Sequence, residues 1–129
     1  MKLQYQYLGD SVELDEFFKT LMFQKIMDSG FSQAERDVLL VVLRQTIHYN
    51  KWSDRISIHH LSQLVGVGIA KLRKTIKQLE AKGLLEIQKS KGGRTESTSR
   101  FSKFSLSNEL ISLVVNHWLE IKWENGFER

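Results

Sequence analysis

Apolar residues recur along this chain with two different periods, and the switches between them outline its elements. Residues 2–8 alternate polar and apolar, the period of a strand. Leu14, Phe17, Phe18, Leu21 and Met22 then return at helical spacing. Asp10 and Glu13 stand in capping-box order ahead of them, and Gly30 offers a stop, so the pattern predicts a helix over 12–29. Ser32 and Glu35 repeat the capping box before the apolar run from Val38 to Leu43. With Arg36, Asp37 and Arg44 flanking it, that run reads as a buried helix over 33–47 rather than a strand.

A polar-aromatic connection follows over 48–53, then a short extended piece at 56–58. Ser57 is placed to cap a helix over 58–65 that turns Leu61, Leu64 and Val65 inward. Gly66-Val67-Gly68 makes a tight turn into a helix over 69–82, which stops at Gly83. Residues 84–88 read as a strand with Leu85 and Ile87 on one face. Residues 89–99 are polar with Gly92-Gly93 as the turn, and 101–106 alternate again, setting Phe104 and Leu106 apart from Phe101. A last helix is expected over 109–124, capped by Ser107 or Asn108. Helix, helix, turn, helix, hairpin is the order of a winged helix-turn-helix. The expected fold is therefore mainly α with a small β-hairpin (α+β). Its layout is an N-terminal strand and helix extension over 1–30, the winged helix over 31–106 and a C-terminal packing or dimerisation helix over 107–129.

Composition narrows the chemistry. A chain of 129 residues with 41% hydrophobic content can form a packed core. Cysteine is absent, which removes disulfides, thiolate metal sites and cysteine nucleophiles and fits a reducing compartment. Proline is absent too, which favours unbroken helices. The first ten residues do not read as a secretory signal, and the apolar stretch 110–121 is too short and too polar to span a bilayer. These features fit a cytoplasmic location.

The net charge of +4 is unevenly spread. Residues 51–104 hold twelve Lys/Arg against four Asp/Glu, while the segments on either side are each net −2. A basic middle between acidic ends points to a local polyanion-binding surface, and on charge alone a solvated lysine-rich face explains it equally well. On the 69–82 helix, Ile69, Leu72, Ile76 and Leu79 form one narrow stripe. The opposite face carries Ala70, Lys71, Lys74, Lys77 and Gln78, with Arg73 and Thr75 at its edges. Small Ala70 lets a backbone approach the groove floor, and long polar side chains reach base edges or phosphates. Around the glycine pair, Lys89, Lys91, Arg94, Arg100 and Lys103 make a basic wing suited to phosphate or minor-groove contact. An ordinary amphipathic surface helix would explain the stripe alone, but not three adjacent elements of like charge.

Other chemistry finds little support. The histidines are His48, His59, His60 and His117; His59 and His60 are adjacent with no acidic partner at ligand spacing, so no metal or other cofactor is expected. Gly92-Gly93 lacks the Lys-Ser/Thr of a P-loop, and no serine sits in a nucleophile elbow. The chain is expected not to be an enzyme.

The residues Val38-Leu39-Leu40, Leu43-Arg44, Thr46, Asn50-Lys51, Asp54-Arg55-Ile56 and Leu61, in that order, resemble the amino-terminal domain of the bacteriophage replication protein O family. The likeness runs more loosely to Leu106. It implies a winged helix that binds repeated origin sites on double-stranded DNA as a dimer, with replication proteins recruited by a further carboxy-terminal region. The stretch after Leu106 reads as too short for such a region. A second departure is His48-Tyr49, where the family carries Gly-Trp; loss of that glycine predicts an altered loop. A phage or mobile-element transcriptional regulator, and a replisome adaptor that uses the winged helix for protein contact, are the alternative readings. The last helix is apolar around about two-thirds of its circumference, and Phe23 and Ile26 widen the apolar arc of the first. That surplus predicts a homodimer, unless the two helices cover each other.

Overall fold

In the computed structural model, which describes residues 2–88 and 101–124, the first departure from the periodicity comes at once. The N-terminal alternation folds as strand β1, Leu3–Tyr7, but it pairs antiparallel with a second strand, β2, Asp10–Leu14. Tyr7 and Asp10 face each other across a two-residue turn in which Leu8 and Gly9 both take positive φ, 50° and 89°. That is the geometry of a tight hairpin turn, met more often with Asn-Gly. Leucine is poorly suited to it, and its side chain lies 87% exposed. The helix expected over 12–29 is therefore shorter: α1 spans Glu16–Asp28. Its cap is Asp15, whose side chain accepts from the Phe18 amide at 3.1 Å, and the capping-box spacing of Asp10 and Glu13 lies within the strand.

The second capping box forms as its residues suggest. Ser32 Oγ accepts from the Glu35 amide, and Glu35 Oε1 accepts from the Ser32 amide, at the start of α2, Gln33–Gln45. Val38, Leu39, Val42 and Leu43 are buried, so the run is a core helix. A 3-10 turn, Ile47–Tyr49, follows. Its left-handed residue is Asn50, φ 62°, while neither His48 nor Tyr49 has positive φ. Asparagine tolerates that region, so the turn closes without glycine.

Strand β3, Asp54–Ser57, leads into α3, Ile58–Val65, where Ser57 Oγ accepts from the His60 amide. Gly66, φ 85°, ends α3 in the left-handed conformation. Helix α4, Ile69–Ala81, and strands β4, Leu85–Gln88, and β5, Phe101–Leu106, complete the series. The strands form one antiparallel sheet in the order β3-β5-β4, so the hairpin expected from sequence gains a third strand. Helix α5, Asn108–Glu124, closes the described chain, and Ser107 Oγ caps it by accepting from the Leu110 amide.

Helix α2 is the centre, packing on α1, α3, α4 and β5. Helix α1 packs on α2 and on α5. That pairing buries Ile26 together with Leu110, Ile111, Val114, Val115 and Trp118, so much of the apolar surplus of the end helices is used inside the chain. The buried residues from Leu3 to Trp118 make one continuous core. Element order α2-β3-α3-α4-β4-β5 with a three-stranded sheet is a winged helix-turn-helix, flanked by the β1–β2 hairpin and α1 on one side and by α5 on the other.

Candidate nucleic-acid interface

The turn before α4 is fixed locally. The Gly66 amide bonds the Ser62 carbonyl at 2.8 Å, and the Ser62 hydroxyl donates to the Val67 carbonyl. Gly68 caps α4 without a side chain, so no side chain satisfies the first-turn amides. Within α4, Leu72, Ile76 and Leu79 are buried and Ile69 is half-buried. Thr75, expected beside the polar face, lies instead on the buried side at 4% exposure. Its hydroxyl bonds the Lys71 carbonyl at 3.0 Å, which satisfies it without solvent.

The opposite face presents Ala70, Lys71, Arg73, Lys74, Lys77 and Gln78, all exposed. No ion pair joins any of the four cations to an acid among the described residues. The end of the helix behaves differently. Lys82, its C-cap, reaches Glu35 Oε2 at 2.6 Å. Glu35 is buried, and the Lys82 ammonium, ahead of the opposing cost of desolvation, holds its carboxyl below the usual range. This bond ties the foot of α4 to the capping box of α2. Gly83, φ 73°, then turns the chain into the sheet, and a Cβ there would come within 2.9 Å of Glu109 Oε1.

Of the basic wing, Lys103 is placed on β5 and exposed, while Lys89, Lys91, Arg94 and Arg100 lie outside the described residues. The sheet brings Lys103 directly between Arg55 on β3 and Gln88 on β4. All three point to the outer face and all are exposed, whereas Ile56, Phe104 and Leu85 fill the inner one. In the sequence Arg55 stands only within the family pattern, the extended piece there is predicted from Ile56, and nothing local announces a strand partner almost fifty residues away. His59 and His60 are exposed at the start of α3, and no cluster that could hold a metal occurs among the described residues. No helix among them is long and apolar enough to cross a membrane.

Among solved structures, the chain is similar to a MarR-family transcriptional regulator from Silicibacter pomeroyi, at 15% identity and TM-score 0.47, over 85% of this chain and 65% of that one. A possible transcriptional regulator from Methanosarcina mazei aligns at 11% identity and TM-score 0.46, over 97% and 95% of the two chains. One from Thermotoga maritima aligns at 22% and 0.45, over 86% and 74%. The chain thus spans just under two thirds of the Silicibacter protein. The winged-helix assignment rests on the element order and strand pairing above. No curated protein sequence matches the chain. The family model for bacteriophage replication protein O matches residues 16–101, from the start of α1 to the start of β5, and the chain belongs to that family.

Proposed function

We propose that this protein binds double-stranded DNA in a sequence-specific manner by laying α4 in the major groove, and that it does so at repeated origin sites. The observation that carries this reading is the exposed face of α4, where Lys71, Arg73, Lys74 and Lys77 stand without acidic partners among the described residues. Four like charges on one face repel one another until an anion neutralises them. Family membership and the winged-helix fold support DNA binding as the class of activity. Lys71, Lys74 and Gln78 are assigned to base edges. Arg73, Lys77, Lys89, Lys91, Arg94, Arg100 and Lys103 are assigned to phosphate and flanking-groove contacts. No catalytic residue and no cofactor enters this mechanism, and its setting is the bacterial host cytoplasm.

A homodimer belongs to the same proposal. After α1 and α5 have covered each other, Phe23, Met27 and Leu113 remain more than one third exposed. A second copy would bury them and present two α4 helices to adjacent half-sites. The test is selection of bound sequences from a random duplex pool at near-physiological salt, with sedimentation analysis for mass. An enriched tandem or two-fold motif is expected. Its position, in an origin or over a promoter, separates replication initiation from transcriptional control. If nothing is enriched and binding disappears at moderate salt, the reading fails and a protein-contact role replaces it.

A further inference from the structure

The cation row on the outer face of the wing sheet is a second anomaly, separate from α4. Arg55 and Lys103 are directly opposite on β3 and β5, and like charges in that position destabilise a strand pair. Neither has an ion pair among the described residues. Glu86 shares this face, but its Oε2 accepts from the Asn108 amide at 3.1 Å and so helps cap α5. The row is therefore a patch of exposed positive charge that an external anion would stabilise.

Next to it on the same face, where Ser105 pairs with Glu86, a cleft of about 410 Å³ opens between the sheet and β1. Its walls include Tyr5 and Trp52, whose rings meet edge-on with centroids 6.2 Å apart. Both rings are anchored from behind: the Tyr5 hydroxyl and Ser112 Oγ share a 2.7 Å hydrogen bond, and the Trp52 indole donates to the Gln4 carbonyl at 3.2 Å. Gln6 and Asn108 also line the cleft, and their side-chain amides have no hydrogen-bond partner among the described residues. An amide offers a donor and an acceptor side by side, which matches the edge of a nucleobase.

Cations for a phosphate, aromatic rings for a base and free amides for its edge make the chemistry of a single-stranded nucleic-acid site. A base inside a duplex is stacked and paired, so only an unpaired strand can present one to a cleft of this kind. We infer that the outer face of the wing sheet binds single-stranded DNA, with backbone phosphates on Arg55 and Lys103 and a base in the Tyr5–Trp52 cleft. This site is separate from α4, and Lys103, which the duplex reading places on the wing, is the one cation the two sites share, so the test rests on Arg55. One protein could thereby hold duplex repeats on α4 and a neighbouring opened strand on the sheet.

The test titrates the full chain against a fluorescent oligothymidylate of about twelve nucleotides, within the range of known single-strand site sizes, and in parallel against a duplex. Arg55→Glu is expected to weaken oligothymidylate binding about tenfold or more while duplex affinity changes much less. The pair Gln6→Glu with Asn108→Asp, both at exposed positions, adds two carboxylates to that of Glu86, which already lines the cleft, and should have the same selective effect. Lys71→Glu with Lys74→Glu should do the reverse, weakening duplex binding about thirtyfold or more (at about 1.4 kcal/mol per decade) while sparing the oligothymidylate. Circular dichroism and melting confirm folding of each variant. Equal losses on both ligands for Arg55→Glu would make the row part of the duplex face and overturn the inference. Unchanged oligothymidylate binding in both sheet variants would also overturn it, as would displacement by thymidine monophosphate at comparable concentration, which would mark a free-nucleotide pocket. The parallel duplex titration keeps the two proposals apart, since failure of duplex recognition leaves the oligothymidylate result readable.

Discussion

The cations of the end helices and the cations of α4 meet different fates. Around α1 and α5, two of the three lysines are spent inside the molecule, and only Lys25 has no acid partner among the described residues. Lys19 lies 3.1 Å from Glu16 and donates to the His48 carbonyl, and Lys122 lies 2.8 Å from Asp15. Asp15 is a junction as well as a cap, because its Oδ1 accepts from both the Phe18 amide and the Trp118 indole, at 3.1 and 2.8 Å. Burial pushes its carboxyl up, and the bonds from Lys122, Trp118 and Phe18 outweigh burial, so the group lies below the usual carboxylate range. On α4 only the terminal Lys82 finds an acid, and the four cations before it find none among the described residues. The lesson is that lysine content alone does not mark a binding face. Unspent charge is what the α4 face has and most of the end-helix lysines lack, and pairing is a property of the fold.

This contrast can be broken most sharply at α4. Lys71→Glu with Lys74→Glu is expected to cost roughly 2–6 kcal/mol of duplex binding, at about 1–3 kcal/mol per specific contact. Fluorescence anisotropy at fixed salt reads the loss, and an unchanged melting temperature shows that only the interface was touched. If reversing both charges leaves duplex affinity intact, α4 is not the contact surface. The buried side of the same helix should answer in the opposite currency. Leu72 is fully buried, so Leu72→Ala is expected to lower stability by about 2–5 kcal/mol in urea denaturation. On the end helices, Asp15→Ala removes a helix cap and leaves the Trp118 indole unpartnered. A loss of about 1–3 kcal/mol is expected, with Asp15→Asn retaining part of it.

Acid provides a subtler probe. Asp15 and Glu35 are both depressed below their ordinary values of 3.8 and 4.5. Each binds fewer protons folded than unfolded, so its contribution is complete above those values and is lost as pH falls through the lower folded ones. Stability should therefore be level near neutrality with respect to these two groups and decline below about pH 4. A melting series over pH checks this, and the decline should shrink in Asp15→Asn. The smallest effect belongs to the exposed pair Lys51–Asp54, 3.0 Å apart with half of the lysine in solvent. Lys51→Ala should change stability by no more than about 1 kcal/mol, and less at high salt.

Much of the fold was legible because its signals are local. The Ser32–Glu35 capping box, the Ser57 cap, the Gly66 stop and the 3.6-residue stripe of α4 act over a few residues, where sequence and structure are nearly the same thing. The exposed face of α4 was readable for that reason. The misreadings lie where a distant partner decides. Residues 10–14 carry helix-start spacing, yet they became β2 because β1 offers a complete ladder and a tight turn at Leu8-Gly9. Thr75 looked like an edge residue of the polar face until its own helix satisfied its hydroxyl and the core covered it.

By itself, then, the sequence determined the winged-helix order, the basic centre and the residues on the outer face of α4, because periodicity and capping are short-range. Tertiary structure alone decided which cations are paired and which are left exposed. It alone turned the surplus apolar faces of α1 and α5 towards each other, and set Arg55 against Lys103 beside a cleft built from four separate elements. The physical reason is the same in each case. Charge neutralisation, burial and strand pairing depend on which surfaces meet, and residues far apart in the chain meet only once the core has formed.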